Sequence, residues 1–343
     1  MAVAEEKNLE RTPRLRDFAA QGAVFSGLMQ TLREGTFVHA YLISGMRGVG
    51  KRTLARLMAQ YILCRGEKGD EPCGECPACM RVLDGTHPDV VRLLPEKDKK
   101  NITVEQVRAL VALAGEHTYE GGRRILLIEQ AERMNTQAQN ALLKTLEEPQ
   151  AENVFLLLCE DTSLLLPTIV SRCRSIKLHP WPDDVVLHAL ELAGTPPEHR
   201  AEVAYLSGGS IGQALEMAGD TAFWQRREEV MRDFFALTAR SPILGVSNQW
   251  KDRREQAEEL LRDVEEMLRT LWLTHVGMVD FKQLAAYPEP WQRLARQADD
   301  ATFARLMDAV FEARRRRNNQ VTWQAVVEGL LLHMTEELQP WRR

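Results

Sequence analysis

Nowhere in this 343-residue chain do ~18 apolar residues run uninterrupted, so no segment is long enough to cross a bilayer as a helix. The opening residues, MAVAEEKNLERTPRLRDF, contain acids and lack an apolar core, which is not the pattern of a secretory leader. A soluble cytoplasmic protein with no membrane partner is therefore expected. Repeats and low-complexity tracts are absent too. Positive charge is not in excess: 44 Lys and Arg against 49 Asp and Glu give a net charge of −5, which excludes a histone-like polycation. Any contact with nucleic acid must then come from a local basic patch. Cysteine is scarce, at six residues, yet four of them fall between Cys64 and Cys79 while Cys159 and Cys173 stand elsewhere. In a reducing compartment such a cluster points to metal ligation before disulfides.

What is present is the composition of a folded protein, 44% apolar and 27% charged, at a length that exceeds one hydrophobic core and implies two or three domains. Three short apolar runs, Tyr41–Ser44, Ile125–Ile128 and Val154–Leu158, each end at a Gly or a polar residue, the mark of strands buried on both faces. Their alternation with longer mixed segments predicts a parallel sheet with helices on both sides. Two prolines in His179-Pro-Trp-Pro182 place a linker there. No further strand-like run follows. From Arg253 onward Leu260, Val264, Met267, Leu268 and Leu271 keep helical spacing among charged neighbours, which predicts an amphipathic helical C-terminal domain.

The first strand runs into Gly45-Met-Arg-Gly48-Val-Gly50-Lys51, the frame of a phosphate-binding loop. Glycines let backbone N–H groups close on phosphate oxygens, a helix N-terminus adds partial positive charge, and Lys51 can reach the outer phosphates. The next position, normally a Ser or Thr that holds magnesium, is Arg52, and Thr53 comes one residue late, about 100° further round the helix. The run at Ile125 ends in Glu129-Gln130, where an active ATPase of this architecture carries Asp and then Glu. A neutral amide takes no proton from water, so hydrolysis is not expected even with ATP or ADP bound. The competing reading is a Gly-rich turn and a polar sheet edge that hold no ligand.

Between these motifs lie Cys64, Cys73, Cys76 and Cys79, four thiols able to surround one ion tetrahedrally. Zinc is the natural occupant, an iron–sulfur cluster or four buried free thiols the alternatives. A closed shell of four protein ligands staples a loop and leaves no position for a catalytic water.

Taken together, His39-Ala-Tyr-Leu42, the four-cysteine insert, Gly85-Thr-His87-Pro-Asp89, Ala141-Leu-Leu-Lys144-Thr-Leu-Glu147-Glu148-Pro149 and Ser171-Arg172-Cys173, in this order, resemble the bacterial clamp-loader subunits of DNA polymerase III. The resemblance covers about residue 15 to 220. It implies a RecA-like AAA+ domain with a zinc-binding insert over residues 1–179 (zinc module 64–79), a small helical lid over 180–220 and an all-α collar over 221–343. It further implies a hetero-pentamer with gamma or tau motors and a delta subunit, which opens a sliding clamp and sets it on primed DNA. The motor subunits of the family carry Ser or Thr after the lysine, an Asp-Glu pair, a Thr after the third of these runs, and an arginine in the lid. This chain has Arg52, Glu129-Gln130, Cys159-Glu160 and, within Gly209-Ser-Ile-Gly212, Gly212. The departures point to the stator of the assembly, with Arg172 as the family's arginine finger reaching the neighbour's ATP. An active gamma- or tau-like motor, a stand-alone P-loop enzyme and a zinc-ribbon nucleic-acid binder are the rival readings, and for Arg172 a plain surface arginine or one paired with a nearby acid.

Lys144, Glu147 and Glu148, ahead of the helix-ending Pro149, read as a solvated face with an intrahelical ion pair. Arg314, Arg315, Arg316 and Arg317 read as a solvated helix face, with contact to DNA phosphates the alternative. His39, His87 and His117 are expected to be structural.

Overall fold

The computed structural model describes residues 13–342 other than 97, 98, 100, 150, 151 and 238; the reading of the first twelve residues lies outside this range. The chain forms two compact units, Met1–Ala218 and Gly219–Arg343.

In the first unit a 3-10 turn at Leu15–Gln21 is followed by α1 (Ala23–Glu34), β1 (Ala40–Ser44), α2 (Lys51–Leu63), α3 (Pro77–Leu83), β2 (Val90–Leu93), α4 (Val104–Ala114), β3 (Arg124–Ile128), α5 (Thr136–Glu147), β4 (Asn153–Cys159), α6 (Pro167–Val170), β5 (Arg174–Lys177), α7 (Asp183–Leu192), α8 (Pro197–Leu206) and α9 (Ile211–Gly219). The five strands are parallel in the order β2-β3-β4-β1-β5. This bears out the expected α/β class. The three apolar runs are the central strands β1, β3 and β4, every residue of which is buried.

Side chains of a strand alternate between faces. Leu126 and Ile128, Phe155 and Leu157, and Ala40 and Leu42 therefore share one face, where they pack with Val107 and Leu110 of α4 and Ala138, Leu142 and Leu146 of α5. Helix α2 covers the strand residues pointing the other way. Such a core is unforgiving of loss: Leu157→Ala would cost about 2–5 kcal/mol. Two strands were not expected. Because β2 is a half-exposed edge and β5 exposes three of its four residues, neither shows an apolar run. The run at Ile125–Ile128, second of the three apolar runs, is thus the third strand in the chain.

The second unit contains α10 (Thr221–Val230), α11 (Ile243–Trp250), α12 (Ala257–His275), α13 (Glu289–Gln297), α14 (Asp300–Asn318) and α15 (Trp323–Leu338), with no strand among its described residues. Leu260, Val264, Met267, Leu268 and Leu271 all lie on the buried stripe of α12. They meet Trp291 of α13, Phe303 of α14 and Leu331 of α15 in one core. Among the described residues, no helix is long and apolar enough to cross a membrane.

Candidate functional site

From Ser44 the chain turns at once into α2. Gly48 and Gly50 take φ of 74° and 108°, a region in which a Cβ is strained, so the glycines make this turn possible. Lys51 opens α2 and folds back, donating to the carbonyls of Gly45 at 2.6 Å and Met46 at 2.9 Å. Burial pushes its ammonium below the ordinary lysine value, against the attraction of Glu160 and Glu132. Thr53 is half-buried on the same helix.

Arg52 has a definite partner. Its Nε donates to Glu129 Oε2 at 2.6 Å, and Nη2 closes on the same oxygen. The other carboxylate oxygen accepts from Arg92 Nε at 3.0 Å and Nη2 at 2.6 Å. Glu129 is only 4% exposed, and a charge buried that deeply must be paired. Two guanidinium groups supply the pairing and between them occupy both carboxylate oxygens. Gln130 is exposed and sits in the left-handed region, φ 54° and ψ 50°. Arg92 is the functional neighbour that sequence reasoning missed. It lies on the edge strand β2, and no local signal marks it.

The Gly209–Gly212 segment lies directly on this loop. The Gly212 amide donates to the Gly48 carbonyl at 2.8 Å, and Ser210 Oγ donates to the Arg47 carbonyl at 2.8 Å. A Cβ on Gly212 would come 2.8 Å from Gly48 Cα, and one on Gly48 would come 2.8 Å from the Gln213 amide nitrogen. Neither distance is sterically tolerable: Gly212 is required by the Gly48 backbone, and Gly48 by Ser210 and the Gln213 amide. The expected linker is also part of this packing. Trp181 Nε1 donates to the Val49 carbonyl at 2.8 Å, and the indole meets Phe18 edge-on with ring centres 5.4 Å apart. Gln21 exchanges hydrogen bonds with the His179 backbone at 2.8 and 3.1 Å.

The cysteine insert gathers as expected. The four sulfurs of Cys64, Cys73, Cys76 and Cys79 all lie within 4.8 Å of one another. The Cys64–Cys73 and Cys73–Cys79 pairs are 3.5 and 3.9 Å apart. A zinc–sulfur bond of ~2.3 Å implies a tetrahedral edge of about 3.8 Å, so the donors fit one ion. An iron–sulfur cluster binds its cysteines to different irons and holds their sulfurs further apart. The backbone amides of Cys73, Cys76 and Cys79 donate to Cys64, Cys73 and Cys76 sulfurs respectively, each at 3.4 Å, and such donors favour thiolates. Against the upward push of burial, the amides of Arg65 and Cys79 bring the Cys76 thiol down to about 6. Glu71, in the loop between the first two cysteines, accepts from the backbone N–H groups of Leu15 at 2.9 Å and Arg16 at 2.8 Å. It thereby fixes the turn that carries Phe18.

Arg172 lies on the turn between α6 and β5. Its Nη1 donates to the Thr168 carbonyl at 2.9 Å, and its Nη2 lies 2.6 Å from Glu147 Oε1. In place of the intrahelical pair expected among Lys144, Glu147 and Glu148, Glu147 pairs with Arg172, as the reading of Arg172 as paired with a nearby acid anticipates. The planar guanidinium reaches the last turn of α5 from a neighbouring element and offers several donors where an ammonium is a point charge. Cys159 and Cys173 are both pushed up to about 12 by burial, which keeps them neutral and unreactive.

His87 is buried, and its Nδ1 accepts from the Asp89 amide at 3.1 Å, a structural contact. His39 and His117 contribute backbone carbonyls to the sheet and to Arg124. In the second unit Arg314 pairs with Glu258 and Glu265, Arg315 with Glu312, and Arg317 with Glu258, an ion-paired helix face.

Residues 20–182 match the family described as "DNA polymerase III, delta subunit". A protein called DNA polymerase III subunit delta' from Pseudomonas aeruginosa is 43% identical over 194 residues, covering 56% of this chain and 59% of that protein, less than two thirds of its length. The protein of the same name from Haemophilus influenzae is 33% identical over 224 residues, 64% of this chain and 67% of the relative. That of Bacillus subtilis is 27% identical over 347 aligned positions, spanning 98% of this chain and all of the relative. Gamma and tau subunits of DNA polymerase III are also among the similar proteins.

Proposed function

The chain belongs to the DNA polymerase III delta′ subunits, and we propose that it works as the non-hydrolysing stator of a bacterial clamp loader. The observation that carries this reading is a contrast within one unit. The acid that would serve a metal is held by Arg52 and Arg92 in a buried cluster, whereas Arg172 lies on a separate turn, partly exposed and paired with the partly exposed Glu147. With no chemistry at its own loop, the subunit acts on a neighbour's. A guanidinium supplied in trans stabilises the charge that develops on a transferring phosphoryl group and is worth about a thousandfold or more in related NTPases.

In this reading the chain assembles with gamma or tau motors and a delta subunit into a hetero-pentamer that opens the sliding clamp and places it on primed DNA in the cytoplasm. Residues 1–179 form the AAA+ domain, 180–220 the lid and 221–343 the collar through which subunits associate. Cys64, Cys73, Cys76 and Cys79 hold one structural zinc. Any ATP or ADP at the loop is bound by backbone amides and Lys51 without being turned over.

The test is Arg172→Ala in the reconstituted complex. The variant subunit should fold and assemble, since the change removes a terminal charge and no core volume. ATP hydrolysis with clamp and primed DNA should slow, by up to the ~10³-fold scale of arginine fingers at the affected site. A lysine should recover little, because it keeps the charge and loses the fork. Normal assembly with an unmodified rate of hydrolysis and loading overturns the reading, and steady turnover by the isolated chain would favour an active motor.

A further inference from the structure

Arg172 is not free on the isolated subunit, and the way it is held is informative. The turn that carries it is fixed to α5 at two points. At the N-terminal point Gln139, 4% exposed, accepts from the Leu166 amide at 2.7 Å and donates to the Leu164 carbonyl at 3.2 Å and the Met134 carbonyl at 3.0 Å. These bonds come from a buried side chain and tie the start of α6 to α5. At the other point Glu147, the last residue of α5, takes the guanidinium at 2.6 Å. Here both partners are partly solvated, the side chains being 34% and 48% exposed for Arg172 and Glu147. The first attachment is permanent by construction and the second is reversible.

The position of Glu147 sharpens the point. A carboxylate in the last turn of a helix opposes the partial negative charge of the helix C-terminus, so Glu147 does nothing for α5 itself. Its favourable interaction is with the arginine. Helix α5 also begins, through its Asn135 cap, just beyond Glu129-Gln130. One rigid element therefore runs from the edge of the loop site to the carboxylate that holds Arg172.

We propose that Glu147 is a positioning residue that parks Arg172 on its own subunit, and that exchange of this carboxylate for the phosphates of a nucleoside triphosphate on the adjacent subunit is the step that engages the finger. This rests on the reading of Arg172 as a trans-acting finger and adds a regulated resting state to it. A solvated ion pair is weak enough to be displaced by a triphosphate and strong enough to bias the unstimulated complex. No bond is made or broken other than the ion pair itself.

The experiment compares complexes reconstituted with the unmodified chain, Glu147→Gln, Glu147→Ala, Arg172→Ala and the Glu147→Ala/Arg172→Ala double variant. ATP hydrolysis is measured with and without clamp and primed DNA, and thermal melting of each subunit serves as the folding control. Both Glu147 variants should raise the unstimulated rate by up to about fivefold, the scale of an exposed ion pair, with the stimulated rate little changed, so that the stimulation ratio falls. The double variant should behave as Arg172→Ala, because parking has no meaning without the arginine. A merely structural role for Glu147 would lower both rates together and leave their ratio unmoved. Unchanged unstimulated rates, or a fall in the stimulated rate, overturn the parking role while Arg172→Ala still shows its defect. If Arg172→Ala has no effect either, the finger reading fails and the parking role falls with it.

Discussion

Arg52 and Glu129 lie 77 positions apart in the chain and 2.6 Å apart in space, and this contact accounts for more of the molecule's character than the phosphate-loop glycines do. In the proposed reading Arg52 stands where a magnesium-holding hydroxyl would be, and it delivers a cation to the acid beside it.

The isolated subunit should hydrolyse no ATP above background, and Arg52→Ser/Gln130→Glu should not confer turnover, because Arg92 still holds one oxygen of Glu129. Phosphate release measured on protein freed of contaminating ATPases checks this. Sustained multiple turnover by the unmodified chain would refute it.

Gly212→Ala should lower stability by about 1–3 kcal/mol, the usual cost of forcing one methyl into filled space, because the new Cβ meets the Gly48 backbone. Limited proteolysis should then cut more readily within residues 180–218, while the sheet stays resistant. An alanine variant as stable and as resistant as the original protein would mean that the lid does not sit on the loop.

One zinc per chain should be found by elemental analysis, without the visible absorption of iron–sulfur. Cys76→Ser should reduce the content and loosen the insert. Since Glu71 of that insert holds the Leu15–Gln21 turn, proteolytic sensitivity should spread to the N-terminal segment and leave β1, β3 and β4 protected. Global unfolding on that single change would contradict the separation of insert from core.

Stability of the chain should fall as pH drops below about 6.5, in part through His87. Burial holds its imidazole below its ordinary value of 6.5, outweighing the pull of Glu120. The unfolded chain therefore takes up the proton first, and folding loses ground as acid is added. His87→Gln should be less stable at pH 7.5 and show a shallower decline between pH 6.5 and 5. Urea midpoints across that range measure it, and an unchanged slope would remove His87 from the account.

Much of this was legible in the sequence because the central strands are buried on both faces and write apolar runs, and because glycine, lysine and cysteine spacings carry their chemistry locally. What stayed hidden was the edge and the tertiary contact. The edge strand β2 shows no run, so Arg92 had no element to sit on and its grip on Glu129 could not be inferred. The spacing of Lys144 and Glu147 suggested a pair within one helix, whereas the carboxylate is claimed by Arg172 from a different element. The Gly209–Gly212 motif shows a missing arginine, but that a glycine is required there follows only from the position of Gly48.

The mutual fit of Gly48 and Gly212 acts as a ratchet on the lineage of such a chain. If the loop is idle, as proposed, an ancestor can have given up nucleotide turnover by single steps. The way back has no such steps. An arginine at 212 has no room while the lid rests on the loop, a serine at 52 leaves Glu129 bound to Arg92, and an acid at 130 meets no metal. Restoring any one of these positions alone therefore meets the contacts made by the others.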